Sequence, residues 1–179
     1  SLTAISDSGC SDVITVPVQA FDPPSSAFNF SDVCLYDSAG FINTSTGPAL
    51  GTISGWSWNF GDGSSIDSLT LSPNHLFANP GNYQITLITR SSNLGCADTL
   101  QSTLTVFPIP IANFSFTDVC LNQPSVFTDL SSVSSGSITS WSWDFNDGSP
   151  PNTAANPTHT YSFPGTYIVT LIVTTNNGC

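Results

Sequence analysis

Two histidines and several aspartates are the residues of this chain with side chains suited to metal binding or catalysis. His75 and His159 occupy equivalent positions of an internal repeat, one per copy, and no Cys or His lies at the spacing of a metal site. We therefore interpret both histidines as structural. Asp144 and Asp147 suggest a glycosidase carboxylate pair, but the chain has no glutamate and Asn59 replaces Asp144 in the other copy. Since no G-x-S-x-G nucleophile motif occurs either, the sequence predicts no catalytic site.

The repeat is centred on the stretch WSWNFGDG at residues 56–63, which returns as WSWDFNDG at residues 141–148. Aromatic residues alternate with Ser, Asn or Asp, which is the two-residue period of a strand with one face in a core. The end of each stretch supplies residues that tolerate positive φ, and its Asp can accept hydrogen bonds from turn amides. The predicted core residues are Trp58, Phe60, Trp143 and Phe145.

Each copy has the same continuation. A polar loop leads to a proline beside an asparagine, then to the histidine and an aromatic residue, and a Pro-Gly pair precedes the strand pattern at residues 83–87 or 167–171. This order resembles the PKD domain, an immunoglobulin-like β-sandwich with the hallmark W-x-F-G-D-G, N-P-x-H-x-Y, P-G-x-Y-x-V-x-L. The second copy departs from it at Asn146, and the first departs at Asn59 and at residues 73–74 and 76–77. The resemblance covers almost the whole chain and implies an all-β fold of tandem immunoglobulin-like sandwiches.

Aligning the copies predicts the domain organisation. Residues 1–21 match the last strands of a preceding domain, with residues 13–18 as its final strand, and residues 22–26 form a linker. One domain occupies residues 27–107, a second linker residues 108–110, and a second domain, without its final strand, residues 111–179. Both linkers are rich in proline, which restricts the backbone, so the array is predicted to be a semi-rigid rod. The predicted strands are A 27–31, B 39–45, C 54–60, E 69–77, F 82–90 and G 98–107, then A 112–117, B 124–130, C 139–145, E 156–161 and F 166–175.

The five cysteines follow the repeat, and the resemblance bears on how they pair. Repeat logic pairs Cys34 with Cys96 and Cys120 with Cys179, but in an immunoglobulin-like sandwich these partners lie at opposite ends of a domain. Strand F spans roughly 26 Å, whereas a disulfide needs Cα atoms within about 7 Å. Stacking of successive domains would instead place Cys34 beside Cys179, leaving Cys10, Cys96 and Cys120 to partners outside this segment. The junction disulfide, pairing within each domain and free thiols all remain open.

The charge of the chain excludes several classes of partner. Arg90 is the one Lys or Arg residue, and the formal net charge is −11. Binding to nucleic acids or to anionic membrane surfaces depends on basic residues, so neither is expected. No apolar run is long enough for membrane insertion, and no signal-peptide pattern is present. Five cysteines without a methionine fit a secreted or extracellular cell-surface protein.

The resemblance also implies possible modification and calcium binding. The triplets that begin at Asp37, Asp67 and Asp98 resemble the O-glycosylation signal of Bacteroidetes, the phylum whose surface proteins carry tandem PKD domains of this cysteine-bearing kind. The predicted acceptors are Ser38, Ser68 and Thr99. Some PKD domains bind calcium, but the loop Asp-x-Asx-x-Asx-Gly is absent around Asp62 and Asp147. We therefore expect no cofactor and at most a weak surface calcium site.

These observations predict a non-catalytic extracellular repeat array with a structural or adhesive role: a stalk, adhesin shaft or surface filament. It resembles the repeat regions of large cell-surface and gliding-associated proteins. The expected partners of this chain are neighbouring domains or chains of the same array, with surface glycans or proteins as further candidates. The alternative is a spacer or substrate-binding module of a secreted polysaccharide- or protein-degrading enzyme. An exposed row of aromatic side chains would favour the enzyme module, and buried aromatics under polar faces would favour the shaft.

The strands predicted at the two ends of the sequence pose a further question. Residues 11–20 read as a G-type strand without a domain to complete, and the domain that begins near Ile111 has no such strand. Either the chain continues at both ends, or the N-terminal strand of one molecule completes the last domain of the next. The overlap of about ten residues between the ends, at the equivalent Cys10 and Cys179, favours continuation.

Overall fold

The structure, a computed structural model, describes residues 1–92 and 95–179, and every regular element in this part of the chain is a β-strand. No helix that could span a membrane is found among the described residues. The strands are β1 (Leu2–Ile5), β2 (Ser11–Ile14), β3 (Phe28–Asn29), β4 (Val33–Cys34), β5 (Ser38–Gly40), β6 (Ile42–Asn43), β7 (Ile53–Asn59), β8 (Asn74–Leu76), β9 (Gly81–Ser91), β10 (Ala97–Phe107), β11 (Phe114–Phe116), β12 (Ser125–Asp129), β13 (Ile138–Asp144), β14 (Thr158–His159) and β15 (Thr170–Thr175).

The first domain packs a sheet of order β4-β10-β9-β7 against the short pairs β3–β6 and β5–β8. Strands β7 and β10 pair antiparallel with the two edges of β9, and β4 joins β10 in parallel. Alternate side chains of both layers point inward, as the sequence pattern predicts, and exclude water from a single core. The buried core residues are Phe28, Ala39, Phe41, Trp58, Phe60, Phe77, Ile85, Leu87, Leu104 and Val106.

The second domain repeats this plan with fewer strands. One layer has the order β11-β12-β14 and the other contains β13 and β15. Its buried core residues are Phe127, Trp143, Phe145, Leu171 and Val173. The predicted all-β fold of tandem immunoglobulin-like domains is therefore confirmed, and the four aromatic residues predicted for the cores are buried.

Several strand predictions were wrong, and strand pairing explains the errors. Predicted strand B of the first domain is divided into β5 and β6, because the amide of Phe41 donates to the carbonyl of Pro73 and the two halves pair with different strands. Predicted strand E shrinks to β8, because Asp67 accepts hydrogen bonds from the amides of Leu69 and Thr70 and folds this segment into a turn. In the second domain, predicted strand E is reduced to β14.

Strand F of the second domain begins at Thr170 rather than at residue 166 as predicted. In the first domain, β7 reaches only as far as Thr86 of β9, and the earlier residues of β9 pair with β10 alone. Strand β13 likewise reaches only Thr170, and within the described ranges no strand pairs with the residues just before Thr170. The strand predicted at residues 13–18 is instead β2, Ser11–Ile14, because its pairing with β1 ends at Leu2.

The second copy has Asn146 where the first copy has Gly61, and the local backbone explains why both residues fit. Gly61 has a φ of 73°, and a Cβ atom there would lie 2.6 Å from the carbonyl oxygen of Gln84. Asn146 occupies the same left-handed region at a φ of 56°, which asparagine tolerates better than most residues. Its amide donates a 2.8 Å hydrogen bond to the carboxylate of Asp144. The turn is therefore kept with a different residue.

Candidate functional site at the domain junction

A disulfide joins the two domains. Cys34 of the first domain is bonded to Cys179 of the second, across a sequence separation of 145 residues and with Cα atoms 5.6 Å apart. This is the junction pairing considered from the sequence, and the structure contains neither Cys34–Cys96 nor Cys120–Cys179. The bond therefore forms a second covalent connection between domains that the linker already joins.

Strand pairing places Cys34 at the end of the first domain. In the parallel register of β4 with β10, Cys34 lies opposite Phe107, and the amide of Leu35 donates a 2.8 Å hydrogen bond to the Phe107 carbonyl. Tyr36 then turns the chain with a φ of 75°. Because the linker begins directly after Phe107, Cys34 is held where the second domain starts.

A tight turn positions Cys179. The amide of Thr175 donates a 2.8 Å hydrogen bond to the carbonyl of Cys179, and the amide of Cys179 donates to the Thr175 hydroxyl at 3.2 Å. Cys10 accepts a 2.8 Å hydrogen bond from Ser6 in the same way. Cys96 accepts one of the same length from Ser91. Each of these cysteines therefore closes the equivalent turn of its repeat.

The domains also meet beside the disulfide. Residues 80–82 and 105–108 of the first domain line a crevice together with Ser134, Ser135 and Asn177 of the second. Pro108 of the linker is buried. The loop before β13 and the turn after β15 thus face the end of the first domain across this crevice.

Inside each domain, an aspartate in the turn that ends the repeated WSW stretch forms a contact with a histidine of the opposite layer. His75 Nε2 lies 2.7 Å from Asp62 Oδ2, and the His75 ring stacks on Phe60 with centroids 4.0 Å apart. The amide and hydroxyl of Ser64 donate to the other oxygen of Asp62. Although burial opposes it, the hydrogen bonds from Ser64 and His75 lower the pKa of Asp62 to about 2.

The second domain repeats this arrangement. His159 Nε2 lies 2.7 Å from Asp147 Oδ2, and its ring stacks on Phe145 with the same centroid distance of 4.0 Å. Hydrogen bonds from Ser149 and His159 lower the pKa of Asp147 to about 2. From the sequence, turn capping was predicted for both aspartates, but their histidine partners were not. The only signal was that both copies keep an Asp and a His at matching positions.

Matches to a known family agree with this geometry. A family model described as PKD domain matches residues 22–107 and again residues 108–179. The chain belongs to the PKD domain family.

Solved structures of other proteins are similar to parts of the chain. The PKD1 domain of Vibrio anguillarum Epp is 23% identical with a TM-score of 0.43, over 49% of this chain and 96% of that one. The PKD1 domain from the Vibrio cholerae metalloprotease PrtV is 28% identical with a TM-score of 0.42, over 48% and 98%. Fibronectin(III)-like modules of Clostridium thermocellum CbhA are 14% identical with a TM-score of 0.42, over 89% and 86%.

Of the remaining cysteines, Cys96 and Cys120 lie at the ends of the two PKD domains away from the junction, and Cys10 lies before the first PKD domain. Cys10 and Cys120 are exposed and Cys96 is half-buried, and none of the three is disulfide-bonded in the described chain. Cys120 stands in the second PKD domain where Cys34 stands in the first, and Cys96 stands in the first where Cys179 stands in the second. Cys120 therefore matches one half of the observed junction, and Cys10 and Cys96 match the other half.

The other predicted sites are separate from the junction and from one another. Ser38 begins β5, Ser68 lies in the turn capped by Asp67, and Thr99 is on β10; all three are exposed. Among the described residues, no group of three or more His, Cys, Asp or Glu side chains is placed to hold a metal ion. The oxygens of Asp62 and Asp147 are already engaged by Ser and His, and a weak calcium site there stays a prediction.

Proposed function

We propose that this chain is a segment of an extracellular, non-catalytic array in which tandem PKD domains form a semi-rigid shaft. The observation that carries the proposal is the Cys34–Cys179 disulfide between successive domains. A domain attached at one point can swing in every direction, whereas a domain attached at two points can only hinge about the line that joins them. The linker and the disulfide provide two such points, so only the hinge about the line through them remains.

The surface of the first domain supports a shaft rather than a substrate-binding module. The outward side of its larger sheet carries polar residues, where Gln84 donates to Gln101 and Gln101 donates to Thr86. The Trp and Phe side chains of this domain are buried or half-buried, and Tyr36 is its one strongly exposed aromatic residue in the described ranges. An aromatic row suited to stacking on sugar rings is therefore absent from the described part of this face.

The disulfide and the composition also support an extracellular location. Disulfides persist in oxidising compartments and are rare in reducing ones. A chain with net charge −11 and one basic residue is well suited to an exposed, soluble surface that does not bind anionic polymers. We propose O-linked sugars at Ser38, Ser68 and Thr99, and a source among gliding-associated surface proteins of Bacteroidetes, on the strength of the triplets that contain these residues.

Rotational tumbling measured by ¹⁵N NMR relaxation tests the shaft. In a background with Cys10, Cys96 and Cys120 replaced by serine, both domains of the oxidised chain should share one slow, anisotropic tumbling time. Adding Cys34→Ser should shorten the tumbling time of each domain, because the second attachment is lost. The matched control keeps Cys34→Ser and restores Cys120. This variant again has two cysteines, Cys120 and Cys179, but it cannot form the junction bond.

Two outcomes would count against the proposal. If Cys34→Ser leaves the tumbling of both domains unchanged, the disulfide does not stiffen the junction. If the oxidised chain is retained by insoluble polysaccharides and Tyr36→Ser abolishes retention, the alternative of a substrate-binding module of a secreted enzyme is favoured instead.

A further inference from the structure

We propose that one side of the first domain binds the same side of a second copy of this chain, so that two shafts lie side by side. The contact surface, called here the β8 surface, is the free edge of β8 together with the side chains of Ile42, Leu69, Leu71 and Leu76. The inference goes beyond the proposed shaft, because it joins shafts laterally. Its test measures association, so it can fail while the stiffness of the junction is upheld.

The aliphatic side chains of the β8 surface are exposed, and the fold does not require them. Ile42, Leu69, Leu71 and Leu76 are all more than half exposed. When the two domains are aligned at the bridged Asp67 or Asn152 and at the histidines, smaller or polar residues take these places in the second domain. In the same order, they are Thr128, Ala154, Ala155 and Thr160. Since the second domain folds with these residues, the aliphatic side chains of the first point to an interaction surface.

These side chains are grouped around one strand. Leu76 belongs to β8, and Leu69 and Leu71 lie in the segment that leads into it. Ile42 is beside that segment, because the amide of the next residue in β6 donates a 3.1 Å hydrogen bond to the hydroxyl of Ser72. The four aliphatic side chains therefore lie on or next to the chain between residues 69 and 76.

Strand β8 also has a free edge. It pairs with β5, and no other strand in the described ranges pairs with it. The carbonyl of Pro73 accepts a 2.9 Å hydrogen bond from the chain on the β5 side, so the backbone groups of Pro73 and of His75 face that side. Those of the alternate residues Asn74 and Leu76 point the other way. Such an edge is a template for pairing with a further strand.

The distribution of charge favours a second copy as the partner. Strands β3, β5, β6 and β8 contain no Asp, Lys or Arg, and Asp37 and Asp67 lie in the turns that flank them. A basic partner would find no carboxylate on these strands to pair with, so the partner that fits is apolar and uncharged. Two chains of net charge −11 repel each other least where their carboxylates are fewest. The β8 surface of a second copy meets both conditions and brings a free edge of its own.

The contact is symmetric. Antiparallel pairing of β8 with β8 of the second copy joins Asn74 to Leu76 by backbone hydrogen bonds in both directions, so that the smaller layers of two first domains form one continuous sheet. The aliphatic side chains at the edge then lose water from both copies at once. Because each copy uses the same surface, the contact is isologous and association ends at the dimer.

Sedimentation velocity of the chain tests the proposal, in the background with Cys10, Cys96 and Cys120 replaced by serine so that intermolecular disulfides cannot contribute. We expect a concentration-dependent equilibrium between monomer and dimer. The double variant Ile42→Thr, Leu76→Thr carries the residues that the second domain has at these positions. It should raise the dissociation constant at least about tenfold, because less apolar area leaves water.

Two further variants make the test specific, and unfolding midpoints check that each variant is folded. Val126→Thr is the matched control, because it removes an aliphatic side chain that is 45% exposed on the equivalent layer of the second domain. It should leave the dissociation constant unchanged. Asn74→Pro removes one N–H group from the free edge and keeps every aliphatic side chain of the β8 surface. It should weaken the dimer, since proline cannot donate to a new strand.

The salt dependence provides an independent measurement. Added salt should strengthen the dimer, because it screens the repulsion between two acidic chains. A chain that stays monomeric at every concentration overturns the second copy as the partner. A dimer that is unaffected by the double variant or by Asn74→Pro, a dimer that salt dissociates, or association that continues beyond the dimer also overturns the proposal.

Discussion

Trp141 donates a hydrogen bond from its indole Nε1 to Oδ2 of Asp129, at 2.7 Å. The neighbouring Trp143 donates to the carbonyl of Ala154 at 2.9 Å. The equivalent nitrogens of Trp56 and Trp58 are buried without a hydrogen-bond partner among the described residues. Both indole N–H groups of this strand are therefore hydrogen-bonded in the second domain, and the equivalent N–H groups in the first domain are not.

Asn43→Asp should stabilise the first domain. Asn43 aligns with Asp129, and its Oδ1 already accepts from Ser45 as Asp129 does from Ser131. A carboxylate would keep this bond and offer its second oxygen to Trp56, for a gain of about 1 kcal/mol in the free energy of unfolding.

Denaturant unfolding followed by tryptophan fluorescence measures this gain. The reverse change, Asp129→Asn, is the matched control and should destabilise the second domain by about 1–3 kcal/mol, because it removes the acceptor of a half-buried donor. If Asn43→Asp lowers the stability, desolvation of the new charge outweighs the hydrogen bond and the explanation is wrong.

The second tryptophan of each repeat should contribute most to stability. Trp58 and Trp143 are fully buried, so Trp58→Ala and Trp143→Ala should each destabilise their domain by about 3–5 kcal/mol. Leu69→Ala is the control at a side chain that is 93% exposed, and it should change the free energy of unfolding by less than about 0.5 kcal/mol. Urea unfolding gives both values, and a loss under about 1 kcal/mol at either tryptophan would contradict its place in the core.

The core could be predicted from the sequence because a local rule determines it. Trp58 and Phe60 lie two residues apart, and the period of a strand puts both side chains on one face. The division of strand B could not be predicted, since it depends on a hydrogen bond from Phe41 to Pro73, whose position follows from the whole fold. The predicted strand lengths were wrong for a similar reason: a strand extends only as far as its partner strand does, and the partner is set by the whole fold.

The two long-range pairs differ in how far the sequence could predict them. The Cys34–Cys179 disulfide was among the pairings considered, because the immunoglobulin-like plan fixes which ends of successive domains meet. The contact of Asp62 with His75 was missed, since it depends on how the intervening loop folds back. That loop differs in length between copies, with separations of 13 and 12 residues, and yet the contact is the same in both.

O-linked sugars are predicted at Ser38, Ser68 and Thr99 in native material. All three hydroxyl-bearing residues are exposed and accessible to a transferase. Peptide mapping by mass spectrometry should show an added glycan mass on the peptides that contain them, while recombinant chain made without the glycosylation machinery should lack it. Unmodified native peptides at all three sites would contradict the prediction.

Acid should weaken the second domain through Asp147. Its pKa is lowered to about 2 in the folded chain, whereas an unfolded aspartate titrates near 3.9. A depressed folded pKa gives stability that is fully present above the unfolded value and is lost as the pH falls toward about 2. Between pH 7 and pH 2, thermal melts should therefore show a loss that begins below about pH 4, on the order of 1 kcal/mol after allowance for solvent screening.

Asp147→Asn identifies the group responsible for this loss. The variant should be less stable than the parent at pH 7 and should approach it near pH 2, because the amide has no charge to lose. Asp144→Asn is the matched control: Asn59 already fills this position in the first domain and accepts from the amide of Gly61, as Asp144 does from Asn146. Its acid dependence should follow that of the parent. Equal acid dependence of the parent and of Asp147→Asn would show that the pair with His159 does not contribute to stability at neutral pH.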